Sequence, residues 1–306
     1  MGKRVVLAVF TVCLLIISAH PLEAAPQDPP VAVPPPAVPT ETPDERQLVQ
    51  AEPDFSLVNL PTTLRLPKHE MNFRLTHRFL ANLRQNSFSD NLDDLFGLDN
   101  GAIIGIEFRF APLSRVQTVV YRNNLDKTFQ FSAQYDVLRQ GGRSPVSFSP
   151  IIAIEGTNNF RGSADDPDDG EGDEHGHSTG VGGHRSPSVG AVVSRTFGDR
   201  LAVYATPVWV RHTLHAPTGN QDTFFVGVGA RARIRSRVYL VGEISPRVSG
   251  YAPGQAEFAF GIERRAGGHM FLLTFTNSVS STFGQVARGG FPDTIYMGFN
   301  LGRKFF

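Results

Sequence analysis

The sequence has a single cysteine, Cys13. It sits inside an N-terminal apolar run, so the rest of the chain carries no thiol. Disulfides, thiolate metal sites and a cysteine nucleophile are excluded there. Cys13 follows Val12 and not a small residue, which does not fit a lipid-attachment site. Long apolar runs are missing too. Beyond residue 19 no stretch approaches the roughly 20 residues that a transmembrane helix requires. Charge of one sign is also absent, because 29 basic residues balance 29 acidic ones. No nucleic-acid partner is expected. Glycine and phenylalanine are plentiful, at 30 and 24 residues, which suits strands and turns better than helices. A membrane protein of this composition has to cross as a barrel.

The N-terminus indicates export. Lys3 and Arg4 precede the apolar run Val5 to Ala19, and Ala24 and Ala25 offer a small-residue cleavage point. Residues 1–24 read as a signal peptide. Residues 25–60 follow no strand pattern. Pro29, Pro30, Pro34, Pro35, Pro36, Pro39, Pro43 and Pro53 favour extended conformations, and acids outnumber bases. This predicts a disordered periplasmic leader. A docking peptide for a periplasmic partner is the other reading.

Residues 61–306 read as a barrel. Met71, Phe73, Leu75 and Phe79 alternate with Asn72, Arg74, Thr76 and Arg78. Ile104, Ile106, Phe108 and Phe110 alternate with Gly105, Glu107 and Arg109. Similar period-2 patterns cover Phe129–Val137, Phe224–Arg235 and Phe258–Glu263, with less regular candidates between them. The total is about twelve strands of membrane-spanning length. Connections alternate in length along the chain. Long ones cover 80–101, 157–187 and 278–293, and tight ones cover 198–200 and 236–237. Outer-membrane barrels sort their loops this way, with short turns in the periplasm. The fold class is all-β, a transmembrane antiparallel barrel of about twelve strands with both termini periplasmic. The last stretch, Ile295–Phe306, is a strand ending on Phe305 and Phe306. Such a strand closes against the first one. The partners expected are outer-membrane lipid and the barrel-assembly machinery, engaged through this C-terminal strand.

Leu60–Phe79 resembles the opening strand of a bacterial outer-membrane β-barrel family of unknown function. Asp94–Phe108, Tyr121-Arg122-Asn123 and Phe299–Phe305 fit the same family. The resemblance spans roughly residues 55–306 and implies a barrel in the outer membrane. It implies no activity. The insert Asp165-Asp166-Pro167-Asp168-Asp169 is a departure from it.

Three groups of residues carry chemistry. Asp165, Asp166, Asp168, Asp169, Glu171, Asp173, Glu174, His175 and His177 form an acidic, histidine-bearing loop. Oxygen and imidazole donors there can hold a divalent ion weakly. A solvated, self-repelling loop is the plainer reading, since the spacing matches no EF-hand. No other cofactor is expected. No catalytic residues are assigned: the strand histidines His77 and His212 have no serine two residues away on their own strands, and the His177–Ser178 pair lies in the acidic loop. The third group is Arg74, Arg78, Glu107, Arg109, Arg231, Arg233, Arg235, Glu243, Glu257 and Glu263. Facing lipid, these charges would be costly, so they are expected to line the lumen. Arg231, Arg233 and Arg235 share one face of one strand and predict an anion-favouring ladder. Two functions stay open: a narrow passive or substrate-selective channel for small solutes, and a non-conducting structural or interaction barrel.

Overall fold

The computed structural model describes residues 51–85, 87–98, 101–160, 184–213 and 221–305. They form a closed antiparallel barrel of twelve wall strands. Around the wall run β1 (Met71–Phe79), β2 (Ala102–Leu113), β3 (Val116–Asn123), β4 (Phe129–Tyr135), β5 (Ser147–Gly156), β6 (Arg185–Phe197), β7 (Leu201–Val210), β8 (Thr223–Arg235) and β9 (Val238–Ser245). A three-residue β10 (Arg247–Ser249) continues β9 past Pro246 and pairs with β8. The wall is completed by β11 (Glu257–Ala266), β12 (His269–Thr276) and β13 (Tyr296–Phe305). At the seam β1 pairs with β13, from Met71 opposite Phe305 to Arg78 opposite Gly298.

The wall follows the alternation of its sequence. On β2, Ile104, Ile106, Phe108 and Phe110 are exposed on the outer face, while Glu107 and Arg109 between them are buried inside. Hydrocarbon outside accepts the first set, and a polar interior accepts the second. Most of the described connections sort by length. At one end, here the turn end, lie 114–115, 198–200, 236–237 and 267–268. Gly198 and Gly267 have φ of +59° and +55° in two of these turns, where left-handed backbone matches the twist of a tight hairpin. The opposite loop end carries 80–101, 211–222, 246–256 and 277–295. The first of these holds α1 (Phe88–Asp93), capped by Ser87. The exceptions are 136–146 at the turn end and the short 124–128 at the loop end. No helix among the described residues is long and apolar enough to cross a membrane.

A cylinder of eight strands is just wide enough to be filled by its own side chains, and one of twelve encloses more space. Here chain segments fill the remaining space. Residues 51–66 enter from the turn end. Residues 277–291, with α2 (Phe283–Ala287), fold in from the loop end. The two meet the wall in one apolar core. Leu57, Val58 and Leu60 come from the first segment and Phe283, Val286 and Ala287 from the second, against Ile151, Val192, Val208, Phe225 and Leu272 of the wall. This changes the expected domain boundary. The leader was expected to run free to residue 60, but 51–60 lie inside the barrel. Wall side chains satisfy their backbone polar groups, an effect that proline-rich composition does not reveal. The signal peptide (1–24) and leader residues 25–50 lie outside the described residues.

Candidate functional site in the barrel lumen

Residues 51–66 form a hairpin without strand pairing to the wall. The Leu57 N–H donates to the Leu60 carbonyl at 2.8 Å, the Thr62 N–H donates to the Phe55 carbonyl at 2.9 Å, and Ser56 bridges Pro61. The turn aims three successive N–H groups in one direction. They converge on the Glu243 carboxylate of β9: Val58 at 3.0 Å, Asn59 at 2.8 Å and Leu60 at 3.2 Å. Such a nest of donors is an anion site, and the wall supplies the anion.

The hairpin's carbonyls are met by donors from the wall. Arg231 Nη2 reaches the Ser56 carbonyl at 2.6 Å and Glu263 at 2.9 Å. Arg265 donates to the Pro53 carbonyl at 3.0 Å. Arg74 donates to the Val58 carbonyl at 3.4 Å and bridges Glu107 at 2.9 Å. Asn300 donates to the same Val58 carbonyl at 3.1 Å. Gln134 donates to the Thr62 carbonyl at 2.9 Å. Gln117 donates to the Leu64 carbonyl at 2.9 Å and accepts from the Leu66 N–H at 3.3 Å. Buried main-chain groups need partners, and here side chains provide what a sheet would otherwise supply.

Side chains of the hairpin are recognised at fewer points. Asn59 donates to Glu257 at 2.7 Å and accepts from Arg78 at 3.2 Å. Leu57 and Leu60 sit over Gly229 and Gly227 of β8. A Cβ at Gly227 would lie 2.6 Å from Leu60 Cδ1, and one at Gly229 would collide with Leu57 Cδ1. These inward glycines are therefore sockets. The Phe55 ring lies 5.3 Å beneath the Arg109 guanidinium and 5.0 Å from Lys304 Nζ. Between the arms, Glu52 accepts from the Thr63 N–H at 2.9 Å, and burial raises its pKa above the usual carboxylate range. Burial opposes charge on Asp54 as well, but Arg265, Arg231, Arg74 and Lys304 outweigh it and hold that pKa below the usual range.

The loop-end segment is held in the same manner. The Gly284 N–H donates to Glu155 at 2.9 Å, the Phe283 N–H to Gln130 at 2.9 Å, and Asn123 to Gln285 at 3.0 Å. A void of about 40 Å³ remains near the hairpin tip, lined by Asn59, Leu60, Gln130 and Phe283 among others, room for a few waters. At the turn end a larger cavity of about 400 Å³ flanks the two arms, beside Phe55, Arg65, Lys68, Glu70 and Lys304.

Of the charges assigned to the lumen, Arg74, Arg78, Glu107, Arg109, Arg231, Glu243, Glu257 and Glu263 are buried inside the barrel. The arginine ladder does not form. Arg231 pairs with Glu263, Arg233 pairs with Asp199 of a tight turn, and Arg235 is exposed at the turn end. Alternation gave their face but not their height along the axis. Arg265 joins the buried lumen charges, continuing the inward phase of Glu257 and Glu263 up to the tight turn 267–268, where strand and turn are hard to separate by alternation alone. Gln117, Gln134 and Asn300 have no individual sequence signal beyond facing inward. His77 faces outward and stacks on Phe299, with ring centroids 4.8 Å apart. The acidic loop 165–177 lies outside the described residues.

A family model described as a membrane-bound β-barrel domain (DUF5777) matches residues 54–305. No curated protein matches the chain. Among solved structures, the NanC porin aligns with a TM-score of 0.47 and 9% identity, over 77% of this chain and 99% of its own. The COG4313 outer membrane channel from Pseudomonas putida F1 gives 0.45 and 8%, over 79% and 98%. LpxR from Salmonella typhimurium gives 0.38 and 9%, over 77% and 99%.

Proposed function

The chain belongs to the family of membrane-bound β-barrel domains, and we propose that it is a gated outer-membrane channel for small solutes, closed at rest by its own residues 51–66. In this reading the turn end faces the periplasm, and the hairpin enters from that side. One observation carries the proposal. The wall holds the hairpin through charged and amide side chains, so its withdrawal would leave a lumen lined by Arg74, Arg78, Arg231, Glu107, Glu243, Glu257 and Glu263. Such a lining takes up water, as an aqueous duct requires. The arginines face glutamates within it, so the open form discriminates weakly between anions and cations.

Planar-bilayer recording tests this. The full chain should show no steady conductance. Leu57→Asp with Leu60→Asp puts charge into the glycine sockets and should produce discrete openings, because an unpaired buried charge is expelled. A second reading, a non-conducting interaction barrel, is favoured by the apolar core that the hairpin shares with α2. It stands if the folded double variant also fails to conduct.

A further inference from the structure

The lumen's contacts with residues 51–66 follow a pattern that goes beyond closing a hole. Most reach main-chain atoms. Glu243 takes three N–H groups, and arginine and amide side chains take carbonyls along both arms. No strand of the wall pairs with the hairpin, whose one β-bridge is internal. Main-chain groups are common to every peptide, so recognition of this kind tolerates sequence. Side chains are read at fewer positions: two aliphatic side chains in glycine sockets, one amide between Arg78 and Glu257, one aromatic ring beneath Arg109, and polar contacts of Asp54 with Arg265, Thr63 with Ser194 and Arg65 with Asp136. Beside the arms, the cavity of about 400 Å³ gives a competing segment a place to begin.

We propose that the lumen is a receptor for short turn-forming polypeptide segments and that residues 51–66 are the copy that resides there. The inference rests on the reading that this hairpin can leave. The class of ligand is a short peptide that can form a turn, with branched aliphatic residues at the first and fourth turn positions and an amide at the third. Residues 51–66 act as a competitor that such a peptide displaces.

The test uses the full chain with a protease site inserted in the exposed segment at 67–69, between the hairpin and β1. After folding and cleavage, a fluorescein-labelled peptide of residues 51–66 is added, and its retention by the heat-modifiable barrel is followed by anisotropy. The labelled peptide should exchange in. It should do so faster when the resident segment carries Leu57→Asp. A peptide with Leu57→Asp and Leu60→Asp should bind at least about tenfold more weakly, since each charge enters an apolar socket. A peptide altered at position 62 should bind within about threefold, since the wall reads Thr62 through its carbonyl alone. Glu243→Gln in the wall should weaken binding of the unaltered peptide. Failure to exchange even against the weakened resident overturns the receptor, and so does equal binding of a scrambled peptide. These outcomes are separable from the channel reading. Exchange without conductance overturns only the channel, and conductance without exchange overturns only the receptor.

Discussion

Glu243 is the residue on which the hairpin's position most depends, and its removal gives the sharpest test. Three N–H groups of the turn point at its carboxylate, and Val58 and Leu60 are fully buried. Replacement by alanine leaves all three donors without that acceptor. An orphaned buried donor costs about 1–3 kcal/mol, so the lower bound for three is about 3 kcal/mol. At about 1.4 kcal/mol per factor of ten, the withdrawn fraction should rise about a hundredfold. Accessibility of the turn reports that fraction. With Cys13→Ser, a Val58→Cys chain has one thiol, sealed in the lumen while the hairpin is seated. Its reaction with a maleimide should then accelerate about a hundredfold on adding Glu243→Ala. Glu243→Gln keeps one acceptor oxygen and should stay within about tenfold of the parent. Heat-modifiable mobility must be unchanged in each variant, so that the barrel itself is known to be folded. An equal labelling rate in the parent and in Glu243→Ala would refute the assignment of Glu243 as the anchor of the turn.

Gly229→Val should also unseat the hairpin, because the added side chain occupies the space of Leu57; increased protease cleavage within 51–66 would report it, and unchanged protection argues against the socket. Deleting Phe305 and Phe306 should impair assembly, with Phe305 carrying most of the effect because it pairs with Met71 at the seam; loss of the heat-modifiable form in Phe305→Ala checks this, and normal folding of the double deletion sinks it. Replacing residues 165–177 with a Gly/Ser linker should leave folding intact. Calorimetry with Zn²⁺ should show heat with the native chain and none with the replacement if the loop holds metal, and silence from both retires that idea.

The wall was legible because two solvents act on every strand. Hydrocarbon selects Ile104, Ile106, Phe108 and Phe110, the interior selects Glu107 and Arg109, and period 2 follows from the pleat. The lengths of the connections added the closure and the even strand count. Height along the axis was not legible. Arg231, Arg233 and Arg235 share a face, yet the first lies sealed inside the lumen while the last is at the rim in solvent. A two-residue repeat carries no information about where the strand meets the membrane boundary. The pairing of Arg74 with Glu107 was within reach in principle. The two are register partners on β1 and β2, and once register is known their shared inward face forces them together.

The segment that fills the barrel leaves no periodic trace in the sequence, and the reason is physical. A strand or helix announces itself by period because its own backbone hydrogen bonds impose a repeat. Residues 51–66 have no such repeat, since their N–H and C=O groups are largely satisfied by Glu243, Arg231, Arg265, Gln117 and Gln134, which arrive from five different strands. Prolines 53 and 61 suit that arrangement, because a residue with no N–H needs one partner fewer from the wall. The composition that reads as an unfolded leader is therefore equally that of a segment ordered by its surroundings. Two features do separate the cases. Phe55, Leu57, Val58, Leu60, Leu64 and Leu66 make 51–66 more apolar than the proline-rich residues before it, with Leu57 and Leu60 at the spacing of the two ends of a turn, and Gly227 and Gly229 stand two apart on the inner face of β8. A wall strand gains nothing in packing from paired inward glycines unless something else occupies their space.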